Sequence, residues 1–210
     1  MDYKNNLREP SLRVPLVIAP FNVPRFAGFT PGATVLDLSS HVDIVPTLLD
    51  LAGAGPPPPS VRGQSLVPLM LSGAEGSAAA SASAPAPRAF IAAEYHSNLA
   101  DTGSFAIRTA RWKLIYFARA TYPWFAAYAP QLFDLESDPF ELTDVSAANP
   151  ALVALLLAQL EAEFGGAGSL DRIDALQMAR NYARFKDHFA DRLSPAELEK
   201  AFEAAFTNAK

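Results

Sequence analysis

A short apolar run bounded by prolines near the start of the chain is the feature that most constrains its fold. Residues 14–20 read Val-Pro-Leu-Val-Ile-Ala-Pro, without the polar alternation of a half-exposed strand. Such a run is typical of a strand that is covered on both faces of an α/β sheet. The charged segment from Lys4 to Arg13 leads directly into it. We therefore expect the chain to begin in the middle of an α/β fold.

The composition excludes several classes of function. The 210 residues carry 22 acidic and 17 basic side chains, a net charge of −5, and no basic stripe that would bind nucleic acid. Half of the residues are hydrophobic, which is enough for a buried core, but no apolar run is long enough to span a membrane. Cysteine is absent, so zinc thiolates and a cysteine nucleophile are excluded. The first residues lack a signal-peptide pattern, and the compartment stays unknown.

A helix of about ten residues is predicted within 39–53. Ser40 or Asp43 can cap it, Pro46 is tolerated in its first turn, and Gly53 is a natural end. A cap is therefore the favoured interpretation of Asp43, ahead of catalysis. The predicted apolar face of this helix consists of Ile44, Leu48 and Leu51. A second short strand is predicted at 34–38, and a single helical turn at 66–71.

The middle of the chain changes to an antiparallel pattern after a low-complexity segment at 72–88. A turn at Ala110-Arg111 divides the second of three strand-like segments into a hairpin. Further on, Asn149-Pro150 predicts a helix start, and Ser194 with Glu197 predicts a capping box. The strand-like segments are 88–96, 104–117 and 130–135, and the helices are predicted at 151–164 and, as a pair, within 169–206.

These elements predict four regions in an α/β chain. The regions are the end of an α/β core at 1–71, a low-complexity loop at 72–88, an antiparallel sheet with a packing helix at 89–168, and a helical tail at 169–210.

Two residues are the best candidates for chemistry. Lys4 precedes the apolar run and can bind an anion as a point charge, although most lysines are simply solvated. His96 ends a strand beside Glu94 and Tyr95, a position that often faces a site, and a structural role is the alternative.

Other charged and polar residues are expected to be structural. Glu9 and Arg13 are four apart and can form a surface ion pair of little energy. Arg108, Arg111 and Lys113 give the predicted meander a basic rim, for which solvated strand positions are the simpler explanation. The remaining histidines, His41 and His188, have no spacing that suits a metal.

Several motifs, in this order, resemble the C-terminal part of formylglycine-dependent sulfatases. They are YKNNLREPSLRVPLVIAP, HVDIVPTLLDLAG, RGQSLVPLML, AIRTARWKLIYF and QLFDLESDPFELTDVS. The family pattern places a lysine, then Tyr-Glu, then Arg-Val-Pro in the first motif. Lys4, Glu9 and Arg13 match this pattern, while Arg8 stands where tyrosine is usual. AEYHSN and the helical tail are most similar to the subgroup that removes 2-O-sulfate from glucuronate.

The resemblance implies a fold and a chemistry. The fold would be the end of an alkaline-phosphatase-like sandwich, followed by a small α+β subdomain with an antiparallel meander and helices. The activity would be hydrolysis of sulfuric esters in a sulfated carbohydrate or an aryl sulfate, in a lysosomal or secreted enzyme. The resemblance gives Lys4 a contact with the sulfate and gives His96 recognition of the sugar or its carboxylate. Calcium and formylglycine are implied for the full-length enzyme, and no metal ligand is expected in this chain.

The nucleophile motif of the family, Cys/Ser-x-Pro-x-Arg, is missing from the sequence. Ser83 and Ser137 each precede a proline by two residues, but Pro87 and Glu141 occupy the arginine position. We therefore expect the chain to be inactive alone and to belong with an N-terminal sulfatase half. The alternatives are a non-catalytic product that binds sulfated glycans and a subunit that completes a split sulfatase.

Overall fold

The computed structural model describes residues 6–19, 32, 34–71, 88–96, 103–118 and 128–207. The chain divides into two compact units, one of Met1–Val14 with Ala92–Lys210 and one of Pro15–Ile91. The N-terminal segment therefore belongs to the same unit as the C-terminal part of the chain. Lys4 and the low-complexity residues 72–87 lie outside the described residues.

The larger unit is built on a meander. Strands that follow each other in sequence are neighbours in the sheet, in the order β1-β2-β3-β4. β2 pairs antiparallel with β3, with Ala106 opposite Ile115, and β3 pairs antiparallel with β4. The predicted turn at Ala110-Arg111 is confirmed, and Thr109 Oγ1 closes it by accepting the Trp112 N–H at 2.8 Å. The strands are β1 (Phe90–Tyr95), β2 (Ser104–Thr109), β3 (Trp112–Phe117) and β4 (Gln131–Asp134).

Both faces of the two central strands are covered. On one face, Ala106 and Ile115 pack with Phe133 of β4 and with Leu7 of the N-terminal segment. On the other face, Phe105 is fully buried and meets Phe164 edge-on, with 5.3 Å between ring centroids. Apolar residues therefore fill both sides of β2 and β3, and the N-terminal segment supplies part of one side.

Three helices follow the meander, as the sequence predicts: α4 (Pro150–Glu163), α5 (Ser169–Phe189) and α6 (Pro195–Thr207). Pro150 occupies the first position of its helix, where its missing N–H removes no intrahelical bond. Ser194 and Glu197 form the predicted capping box, with the Ser194 N–H donating to Glu197 Oε2 at 2.8 Å. These helix starts are set by local capping chemistry.

One further helical element of this unit comes before the meander. It is the single turn α1 (Glu9–Leu12) of the N-terminal segment.

In the smaller unit, Asp43 fixes the start of α2 (Ile44–Ala52). Its carboxylate accepts N–H bonds from Ser40 at 2.8 Å and Gln64 at 2.9 Å, and it pairs with Arg88. Gly53 ends the helix in the left-handed conformation, at φ 66°. The predicted stop at Gly53 is confirmed. Asp43 stands at the N-cap position of α2, but its carboxylate caps the preceding turn, His41–Asp43, in a capping box with Ser40. The helical turn predicted near residue 66 is α3 (Val67–Leu71).

The strands predicted at 14–20 and 34–38 are corrected by the structure. Residues 14–19 and 34–38 form no strand, and no described residue pairs with them. Val17 is 87% exposed, and Leu36 is exposed as well. A strand exists only with a hydrogen-bonded neighbour, so an apolar run without one stays irregular.

The predicted apolar face of α2 is also wrong. Leu48 is 58% exposed, and the helix buries Pro46 and Thr47 instead. Thr47 Oγ1 donates to the Asp43 carbonyl at 2.6 Å and accepts the Leu66 N–H at 2.9 Å. Hydrogen bonds to the Asp43 region therefore decide which side of α2 is covered.

Replacing Asp43 with alanine should loosen α2 selectively. The change removes acceptors for two backbone N–H groups and leaves Arg88 without its carboxylate. We expect amide exchange in 44–52 to accelerate about tenfold, in line with the roughly 1–2 kcal/mol of a lost helix cap. Hydrogen-exchange mass spectrometry measures this, with Asp37→Ala as the exposed control. Equal protection in both variants would contradict the cap role.

Candidate functional site

A buried cluster of charges fixes the N-terminal segment to one face of the sheet. Lys113 Nζ lies 3.1 Å from Glu9 Oε1 and 2.8 Å from Glu141 Oε1. Arg108 Nε adds a second cation, 3.3 Å from Glu9 Oε1. The Lys113 side chain has no exposed surface, Glu141 is 1% exposed and Glu9 is 8% exposed. The cluster joins α1, β2, β3 and the turn after β4.

The charges in this cluster balance. Two carboxylates face one ammonium and one guanidinium, so the four side chains leave no net charge within the cluster. Removing one member of a buried ion pair typically costs about 3–5 kcal/mol, because its partner then stays buried and unpaired. Replacing a whole cluster with apolar side chains is often neutral. The cluster therefore specifies where its members lie more than it adds to stability.

The backbone around Glu9 and Glu141 is tied by further hydrogen bonds. The Glu9 N–H donates to Glu141 Oε2 at 2.6 Å, and Arg8 donates to the Glu141 carbonyl at 2.8 Å. The Arg8 guanidinium also donates to Gln131 at 3.0 Å and lies 4.4 Å from the centroid of the Phe133 ring. Glu141 has φ 57°, a left-handed conformation that is uncommon outside glycine. Its contacts with Arg8, Glu9 and Lys113 hold it there.

Two predictions about charged residues are corrected by this geometry. Lys113 was expected to be a solvated rim residue, and it is buried because it shares a sheet face with Ile115 and meets two carboxylates. Glu9 forms its ion pairs with Lys113 and Arg108, whereas a surface pair with Arg13 was expected. The alternation of Lys113 with Ile115 along β3 was the available signal that this lysine faces the core.

Arg111 does lie at an exposed rim. Its guanidinium donates to both carboxylate oxygens of Asp134, at 3.0 and 2.8 Å. This fork, helped by a backbone N–H, lowers the pKa of Asp134 to about 2. The contact closes the β3–β4 corner at the surface.

Of the two candidate site residues, His96 lies within the described part of the chain and Lys4 does not. His96 follows β1, and its side chain is 14% exposed. Nδ1 lies 3.5 Å from Asp174 Oδ1, and Nε2 lies 3.7 Å from Glu94 Oε2. The ring also meets Phe105 edge-on, with 5.2 Å between centroids. The interaction with Asp174, supported by Glu94 and opposed by burial, raises the pKa of His96.

Gly103 brings Asp174 and His96 together. Its N–H donates to Asp174 Oδ1 at 2.8 Å. A Cβ at this glycine would lie 2.5 Å from that oxygen and 2.6 Å from the His96 ring, so no other residue fits without displacement. Asp174 Oδ2 and both His96 nitrogens are buried without a hydrogen bond, although ionic contact links the two side chains. No local sequence pattern pointed to Asp174, a residue of α5 far along the chain from His96.

The described residues do not fit a calcium site. No three Asp, Glu or His side chains of the described ranges come together in a way that could hold a metal ion. None of the helices in the described ranges is long and apolar enough to cross a membrane.

The charged form of His96 should depend on Asp174. A raised pKa means that the folded chain binds this proton more tightly than the unfolded chain, whose histidine titrates near 6.5. The pairing thus stabilises the fold fully below pH 6.5 and is lost as the pH rises through the higher folded value. In Asp174→Asn, we expect an NMR titration of the His96 ring to show a lower pKa, since an amide carries no charge. Asp187→Asn on the exposed side of α5 is the control, and an equal pKa in both variants would refute the pairing.

Comparison with known proteins finds the same family that the sequence motifs predict. A family model described as N-sulphoglucosamine sulphohydrolase, C-terminal, matches residues 2–164. Arylsulfatase K of Mus musculus is 33% identical over 150 residues, covering 71% of this chain and 24% of that protein. Arylsulfatase K of Danio rerio is 36% identical over 148 residues, covering 70% and 25%. The predicted subgroup resemblance is confirmed as sequence similarity to arylsulfatase K.

A solved structure supports the same relationship. It is described as a complex with its substrate D-glucosamine-2-N,6-O-disulfate, is 26% identical and superimposes with a TM-score of 0.50. The match covers 63% of this chain and 25% of that one. The chain spans about a quarter of the length of the curated relatives that it matches. By the extent of the family match, the chain belongs to the sulfatases, in the family of the N-sulphoglucosamine sulphohydrolase C-terminal domain.

Proposed function

We propose that this chain is the C-terminal part of a sulfuric ester hydrolase that removes sulfate from a glycan uronate or an aryl sulfate. The observation that carries the proposal is the position of the motif segment. Glu9, the glutamate of the family pattern, is buried against β3 by Lys113, so the described part of the motif, from Asn6 onward, is built into the C-terminal unit. An irregular surface segment would have no need of such an anchor.

Lys4 is proposed to contact the sulfate. Its ammonium would lie beside the sulfate oxygens and stabilise the negative charge that increases on the leaving oxygen as the S–O bond breaks. Donors placed where charge develops are usually the largest single contribution to catalysis. Lysine acts here as a compact point charge, which suits an anion of tetrahedral shape.

His96 is proposed to recognise the sugar or its carboxylate. The side chain is partly exposed at the end of β1, and Asp174 and Glu94 favour its protonated form. A protonated imidazole donates from both nitrogens. Both nitrogens of His96 are buried, with Nδ1 beside Asp174, so Nε2 would meet an acceptor of the substrate when the exposed Glu94 side chain moves aside. A uronate offers such acceptors in its carboxylate and hydroxyl groups.

The nucleophile, the formylglycine that the family implies, is proposed to come from an N-terminal sulfatase half together with the calcium. The smaller unit has apolar side chains that such a half would cover. Val17, Leu36 and Leu48 are all more than half exposed. Exposed apolar groups of this kind commonly mark surfaces that are buried in a complete protein.

The isolated chain should not hydrolyse sulfate esters, because no residue in it matches the nucleophile motif. The test is an assay with 4-nitrocatechol sulfate and a uronate 2-sulfate, on the isolated chain and on the chain joined to an N-terminal sulfatase half. We expect hydrolysis in the joined protein alone. Turnover by the isolated chain would overturn the predicted inactivity, and a folded joined protein without turnover would overturn the proposed function.

A further inference from the structure

We propose that Lys113 is a positioning residue for the sulfate-contacting lysine, acting through its buried contacts with Glu9 and Glu141. The proposal rests on the proposed function of Lys4 and goes beyond it, because it assigns a role to a residue that cannot touch substrate. Lys113 has no exposed surface, and its ammonium is 3.1 Å from Glu9 and 2.8 Å from Glu141.

The cluster accepts the N-terminal segment in one register. Without Glu9, Lys113 and Arg108 would be left with the single carboxylate of Glu141, and an excess of buried positive charge is strongly unfavourable. A shift of the segment by one residue would present Arg8 or Pro10 to Lys113, which would leave the ammonium facing a like charge or an apolar ring. The bond from the Glu9 N–H to Glu141 Oε2 would be lost in the same shift.

The fixed register extends almost to Lys4. Leu7 is 3% exposed in the core cluster, and Asn6 Oδ1 accepts hydrogen bonds from the Arg8 N–H at 2.9 Å and from Ser11 Oγ at 3.1 Å. Asn6 is therefore tied to the anchored turn. One residue separates it from Lys4, and two peptide units reach about 7 Å at most. The anchor at Glu9 thus limits the distance of the Lys4 Cα from the anchored turn.

The expected consequence is kinetic. A displacement of about 1 Å in a catalytic group can lower a rate about 100-fold. Loss of the anchor should therefore act on kcat through Lys4, and it should have no further effect once Lys4 is absent. Replacing a residue that serves folding alone would lower activity by the same factor with Lys4 present and with Lys4 absent, because it changes only the amount of folded protein.

The test is a double-mutant cycle in the sulfatase that carries this chain joined to its N-terminal half. The variants are Lys113→Met, Lys4→Ala and the two combined, with Lys200→Met on the exposed side of α6 as the matched control. We expect Lys113→Met to lower kcat about 10- to 100-fold while protection of the α4 amides is retained. The double variant should be no slower than Lys4→Ala. Lys113→Arg, which keeps the charge, should recover part of the loss.

The outcomes separate the two proposals. If Lys4→Ala leaves kcat unchanged, the proposed role of Lys4 is wrong. If Lys4→Ala lowers kcat but Lys113→Met does not, the positioning role is wrong. It is also wrong if Lys113→Met lowers kcat by the same factor whether or not Lys4 is present. Should Lys113→Met not fold, Glu9→Gln repeats the cycle, because it keeps the side-chain size and removes the charge that faces Lys113.

Discussion

The structure of the larger unit depends on a lysine that has no access to water. Lys113 projects from β3 onto the face that holds Ala106 and Ile115, where an unpaired ammonium would be strongly destabilising. Glu9 and Glu141 compensate it, and each comes from a different part of the chain. The sheet therefore determines the position of two other segments. A buried ion pair adds little to the free energy of unfolding. Here it specifies where the segments that carry Glu9 and Glu141 lie on the sheet.

A second acid–base contact organises the opposite face of the same sheet. His96 packs on Phe105 and faces Asp174 of α5, while Gly103 gives its N–H to the same carboxylate. Each face thus carries polar contacts between residues distant in sequence. In the proposed sulfatase, one contact would hold the segment of the sulfate-binding lysine and the other would hold the histidine that recognises the sugar. The two functions would share one rigid support.

The sequence predicted what local chemistry determines. The turn before Trp112, the proline start at Pro150 and the capping box at Ser194 depend on a few neighbouring residues, and all are present. The apolar run at 14–19 needs partners from elsewhere, so its composition alone did not make it a strand. Lys113 and Glu9 are 104 residues apart, and no local pattern reports such a contact. The motif spacing identified the family but did not show how Glu9 is held.

The most direct test of the account is the exchange rate of the Glu9 amide hydrogen in the unmodified protein, measured by NMR. This N–H donates to Glu141 Oε2 at 2.6 Å inside the cluster. If Lys113 anchors the N-terminal segment, the Glu9 amide should be protected to the same degree as the amides of Ala106 and Ile115 in the sheet. Exchange at the rate of an unstructured peptide would contradict the anchor and the positioning role built on it.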